Sequence, residues 1–238
     1  MNRRILAAAL PVAAAAFGVA PAHAEGPEQL EQLEPGRGAW QAELFGTYGR
    51  QQTQVAGALY GVSDRLALGV EAEAARDDGP LRLDTLGLVA LLRLRDPEAR
   101  PIGVGVALQS AFGRGARLAE VEGRVIVEHR SGRWWLQGDV IARHAREPEA
   151  SGTGIAYAGS AQHALGHSFW LGLEASGQLA RIAGDPALAP AGQHYLGPSL
   201  TMERSAGRGG IEIGLAYLYR TAGRGPGPAP RVFVQLTF

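Results

Sequence analysis

From Trp40 onward the chain alternates apolar residues with small or polar ones, in runs of about 9 to 13 broken by short turns rich in Gly, Asp, Arg and Pro. A period of two is that of a β-strand, whose successive side chains point to opposite faces. In Ile211–Arg220 one face carries Ile211, Ile213, Leu215, Tyr217 and Tyr219, and the other Glu212, Gly214, Ala216, Leu218 and Arg220. Twelve such runs are predicted: 39–50, 53–62, 65–76, 82–95, 101–113, 117–129, 134–145, 153–164, 168–181, 192–203, 209–221 and 230–238. No stretch after residue 39 holds a 3.6 period for three turns, and the connections are too short for crossover helices. An antiparallel meander follows.

Alternation alone does not say which face is the core: a sandwich hides its apolar face, and a transmembrane barrel turns it to lipid. Three observations favour the barrel. Trp40, Tyr60, Trp134, Trp135, Phe169, Trp170 and Phe238 fall near one rim, and Tyr48, Phe112, Tyr157, Tyr195, Tyr217 and Tyr219 near the other, as two aromatic girdles at membrane interfaces would. The second face is charged and small. It carries Glu43, Glu71, Glu73, Arg93, Glu120, Glu122, Arg124, Glu128, Asp139, Arg143, Glu174, Glu203, Glu212, Arg220 and Arg231, with Gly69, Gly87, Gly103, Gly105, Ala107, Gly172, Gly197 and Gly214 between them. These fifteen charged residues are the predicted lumen lining, ten carboxylates against five Arg. Finally, the chain ends with Val232, Val234, Leu236 and Phe238 on one face.

That last strand resembles the C-terminal strand of Gram-negative outer-membrane barrels, which implies recognition by the barrel-assembly machinery through the terminal Phe238. Tyr60–Glu71 (YGVSDRLALGVE) resembles a hairpin of outer-membrane transport barrels, including the phenol meta-pathway transporter-like group. The predicted fold is all-β: a closed antiparallel up-and-down transmembrane barrel of about 12 strands, with 10 as the alternative. An even number puts both termini in the periplasm.

Residues 1–24 read as a secretory signal, with Arg3 and Arg4 ahead of an Ala-rich apolar run and Ala22-His23-Ala24 at the cleavage point. Cleavage there leaves 214 residues with 21 Arg against 23 Asp and Glu, a net charge of −2. The expected location is the Gram-negative outer membrane, with lipid as the surrounding partner. Segment 25–38 (EGPEQLEQLEPGRG) reads as a disordered periplasmic leader, its EQLEQLE core capable of a turn or two of helix; a variant makes it a plug whose Glu residues meet lumen Arg.

Composition removes several chemistries. Every basic residue is Arg, and Cys is absent, so thiol nucleophiles, disulfides and Cys-ligated metals are excluded. Balanced charge argues against a nucleic-acid partner. No H-E-x-x-H motif and no phosphate-binding glycine loop is present, so no cofactor or metal is expected. Lipid hydrolysis needs Ser, His and an orienting residue at the outer rim. The adjacent pair His167-Ser168 instead falls in a periplasmic turn. No enzymatic activity is expected.

One hairpin gives a sharp expectation. A two-residue turn at Ser131-Gly132 would pair Glu120 with Arg143, Arg124 with Asp139 and His129 with Trp134. Inward Gly and Ala leave room, and the longest outer connection, about 182–191, is too short for a large constriction loop. The expected function is a narrow passive channel for small polar or ionic solutes with mild cation preference. A non-conducting barrel closed by Arg–Glu pairs is the alternative.

Overall fold

The computed structural model describes residues 27–33, 36–49, 51–76, 79–97, 100–206, 209–224 and 227–238. The predicted signal lies outside them. The strands are β1 (Trp40–Thr47), β2 (Gln52–Gly61), β3 (Leu66–Arg76), β4 (Arg82–Arg95), β5 (Ile102–Gly113) and β6 (Arg117–Ser131), followed by β7 (Trp134–Arg146), β8 (Ser151–Ala164), β9 (Phe169–Gly184), β10 (Gln193–Ala206), β11 (Gly209–Ala222) and β12 (Ala229–Thr237). Each pairs antiparallel with its neighbours in sequence, and β1 pairs with β12 to close a 12-stranded barrel. Trp40 and Phe238 exchange backbone hydrogen bonds of 2.8 and 2.9 Å across that seam.

The apolar face points outward. Leu44, Val70, Leu88, Leu108, Val140 and Leu173, one from each of six strands, are 54–59% exposed. So large an apolar surface on one closed sheet is the surface of a membrane-spanning barrel. Trp40 and Tyr60 (ring centroids 4.9 Å apart), Trp134 and Phe169 belt the rim where β1 begins and β12 ends, and Tyr217 and Tyr219 (4.9 Å) belong to the opposite belt. Trp135, Trp170 and Tyr195 leave these belts: strand parity turns all three inward, where Trp135 and Tyr195 are 1% and 2% exposed and Trp170 lies edge-on to Trp135, 5.7 Å away.

The β6–β7 register differs from expectation by two residues. Ser131 pairs with Trp134, Glu122 with Arg143, and Ile126 with Asp139, while Glu120 meets Ala145. The turn is therefore Gly132-Arg133, with Gly132 at φ +59°. A type II′ hairpin turn wants Gly first, because that position takes the positive φ. A shift of two keeps every side chain on its face, so the Arg143 guanidinium still reaches Glu120, at 3.3 Å.

Candidate functional site: the lumen

The lumen divides along its axis. Its half toward the long-turn rim is a cavity of about 1160 Å³, and side chains at that rim, including Tyr48, Gln51, Glu147 and Leu188, line its mouth. Its wall holds Glu71, Glu73, Asp84, Glu120, Glu122, Arg124 and Arg143 from β3, β4, β6 and β7, with Arg76, Arg117 and Arg146 nearer the turns. Together with Glu28 and Glu31 on the floor, eight carboxylates and five Arg line it.

The half toward the rim where β1 begins and β12 ends is filled by residues 27–33. This segment, expected as a disordered leader with a turn or two of helix or, in the variant, as a plug whose Glu residues meet lumen Arg, forms neither helix nor strand and runs into the lumen from the rim where β1 begins, bringing Glu28 to Arg143. The physical reason is the seat that the wall provides. Leu33 is 1% exposed in a cluster with the inward side chains Leu59, Ala67, Val89, Leu91 and Ile126. A Cβ at Gly103 or Gly105 would lie 2.8 or 2.4 Å from a Leu33 methyl, so these two glycines form the hollow that accepts it. In an open aqueous pore those wall residues would be apolar surface in water, at a cost of about 25 cal/mol per Å².

Polar groups complete the seat. The Leu33 amide donates to Glu128 (3.0 Å), the Glu31 amide to Asp139 (2.8 Å), and Gln32 to Glu212 (3.0 Å). Arg124 donates to the Gln29 carbonyl at 2.6 Å. At the tip, Arg143 holds the Glu28 carboxylate at 2.8 Å while Gln178 donates to its other oxygen.

The predicted lumen residues sort into groups. Arg124 bridges Glu122 (2.7 Å) and Asp139 (3.0 Å), and Arg143 bridges Glu122 (2.8 Å), Glu120 and Glu28. On the far wall Arg231 pairs with Glu174 and stacks 4.6 Å from the Phe45 ring. Glu203 sits at the terminal rim with Arg130 (3.2 Å), which lies 3.9 Å over Trp135. Arg93 pairs with Asp96 (3.7 Å) at that rim, and Arg220 is exposed near the other. Glu43 and Glu71 approach Glu31 of the leader, the carboxylate oxygens of all three lying within 4.8 Å of one another. Glu73 lines the open cavity. Glu128 and Glu212 serve the leader, as above.

Sequence reasoning missed the uncharged part of the wall. Gln162 donates to Ser199 (3.2 Å) and Thr201 (3.0 Å), and Ser160 to Gln137 (3.0 Å). Strand parity was the available signal, since these residues alternate with lipid-facing neighbours. His167 and Ser168 lie in the β8–β9 turn at the terminal rim, and on the outer surface His144 contacts the Thr153 hydroxyl at 2.9 Å.

No protein-family profile matches the chain, and no curated protein does. Among solved structures it is similar to the NanC porin in a rhombohedral crystal form, with 9% identity over 83% of this chain and 98% of that one and a TM-score of 0.52. It is likewise similar to the KdgM porin in complex with disordered oligogalacturonate, with 8% identity, the same coverages and a TM-score of 0.50. The likeness is one of fold, a closed antiparallel porin-like barrel.

Proposed function

We propose that the protein is a narrow passive channel in the Gram-negative outer membrane for small polar or ionic solutes, with a mild preference for cations. The observation that carries this reading is the cavity of about 1160 Å³ on the barrel axis, lined by eight carboxylates and five Arg. Charged walls of one predominant sign concentrate counter-ions and bias permeation toward them. In this reading the rim where β1 begins and β12 ends faces the periplasm and the cavity mouth faces outside. A second reading, a structural barrel with no transport, is favoured by the packed inner half around Leu33 and the ion pairs of Arg124 and Arg143.

Planar-bilayer recording on the purified mature chain, alongside a variant lacking residues 27–33, separates the two. The channel reading expects stepwise conductance, with a reversal potential in a salt gradient of the sign that cations give. No conductance in either protein, at any salt concentration, sinks it.

A further inference from the structure

The leader brings a carboxylate to two others. Its Glu31 amide is fixed by Asp139, so the Glu31 side chain has little choice but to lie beside Glu43 of β1 and Glu71 of β3, with oxygens of all three within 4.8 Å of one another. The charged groups facing it from the other packed elements are Glu122 and Arg124 on β6 and Asp139 on β7. Arg124 is the cation among them, and it is already shared by Glu122, Asp139 and the Gln29 carbonyl. The rest of the seat is attractive: Leu33 in its apolar hollow at one end and Glu28 on Arg143 and Gln178 at the other. The segment is thus well anchored at both ends and electrostatically opposed in the middle.

Resting on the channel reading, we infer that residues 27–33 are a gate, held shut by protons shared among Glu31, Glu43 and Glu71 and released as those protons leave. Three ionised carboxylates this close repel one another, and a bound proton replaces one repulsion by a hydrogen bond. Burial holds the Glu31 carboxyl above its usual range, Arg124 opposing that and Glu122 adding to it. The sign follows from linkage. The seated leader binds protons that the released leader gives up, so acid favours the closed state. Raising the pH through and above the ordinary carboxylate range favours the open one. Each pKa unit gained on seating is worth about a tenfold change in the open-to-closed ratio.

The test is the pH profile of open probability for the full mature chain in planar bilayers, from about pH 5 to 9, with a chelator present so that protons are the varied cation. The intact protein is expected to stay closed in acid and to rise about tenfold or more toward the alkaline end. Glu31→Gln, which keeps the backbone bond to Asp139, should remain closed with a flat profile. The chain lacking residues 27–33 should conduct at every pH. A flat profile in the intact protein, an unchanged slope in Glu31→Gln, or equal conductance with and without the leader overturns the gate. A leaderless barrel that never conducts overturns the channel reading itself.

Discussion

The two halves of the lumen are walled by the same twelve strands and obey the same inward-outward alternation, yet one is an open cavity and the other is packed. The difference lies in what alternates inward. Toward the mouth the inward positions are Glu71, Glu73, Gln109, Glu120 and Glu122, which want solvent or counter-ions. Toward the rim where β1 begins they are Leu59, Val89, Leu91 and Ile126, which want contact, and the leader supplies it through Leu33. Inward glycines mean different things in the two halves. Gly113, near the mouth, has only the Ala119 Cβ within reach of a would-be side chain, at 3.6 Å, whereas Gly103 and Gly105 are filled by Leu33. A small residue in a barrel wall marks either free passage or a fitted contact, and only its neighbours decide.

The strongest way to break this comparison is to make the packed half resemble the open one. Leu33→Asp would place an unpaired carboxylate against Leu59, Leu91 and Ile126, a cost of about 3 kcal/mol or more if it stayed. The leader should therefore leave. Amide-exchange protection of residues 29–33 is expected to fall about a hundredfold, while protection of the barrel strands is unchanged. Protection that survives would mean that the polar contacts of Glu31 and Gln32 hold the leader without Leu33.

A smaller effect is expected at the junction of the two halves. Arg143 joins wall carboxylates Glu120 and Glu122 to Glu28 at the leader's tip, and its side chain is 17% exposed. Arg143→Met leaves three carboxylates without this cation, a loss of about 2 kcal/mol, less than for a fully buried pair because solvent reaches it. Combined with removal of residues 27–33 in a double-mutant cycle of thermal stability, it should show coupling of about 1 kcal/mol. Strict additivity would show that Glu28 gains nothing from Arg143.

The barrel, its two faces and its strands were legible because a period of two is written into every strand. All twelve runs match observed strands to within a few residues at their ends. Glu122, Arg124, Glu128, Asp139, Glu174, Glu212 and Arg231 are buried on the inner face, and a register slip of two, as at Glu122–Arg143, preserves faces. The slip itself arose from placing Gly132 second in its turn rather than first, a matter of turn conformation that hydrophobic periodicity does not encode. The leader's seat was harder to read. Segment 25–38 lacks the strand period, and its pocket is assembled from Leu59 on β2, Val89 and Leu91 on β4 and Ile126 on β6, which only the closed barrel brings together. One signal was present. Leu59, Leu91 and Ile126 share the parity of the lumen charges, and inward apolar residues of that size conflict with a wet pore throughout.

The finest test of the comparison concerns the mouth alone. Glu147 lines the cavity at the β7–β8 turn, where its amide donates to the Ala150 carbonyl at 2.8 Å and its residue is exposed. Glu147→Gln removes one charge without disturbing that turn, so thermal stability should shift by no more than about 0.5 kcal/mol. Ion selectivity should respond, measured in the chain lacking residues 27–33 so that the leader does not intervene. A mouth carboxylate in solvent acts over about 30 Å at 0.01 M salt and about 3 Å at 1 M. The reversal potential in a salt gradient should therefore move toward zero at low salt and stay put at high salt. An equal shift at both would mean that Glu147 acts from a dehydrated position that salt does not screen, like those of the packed half, and the division of the lumen into open and filled halves would have to be redrawn.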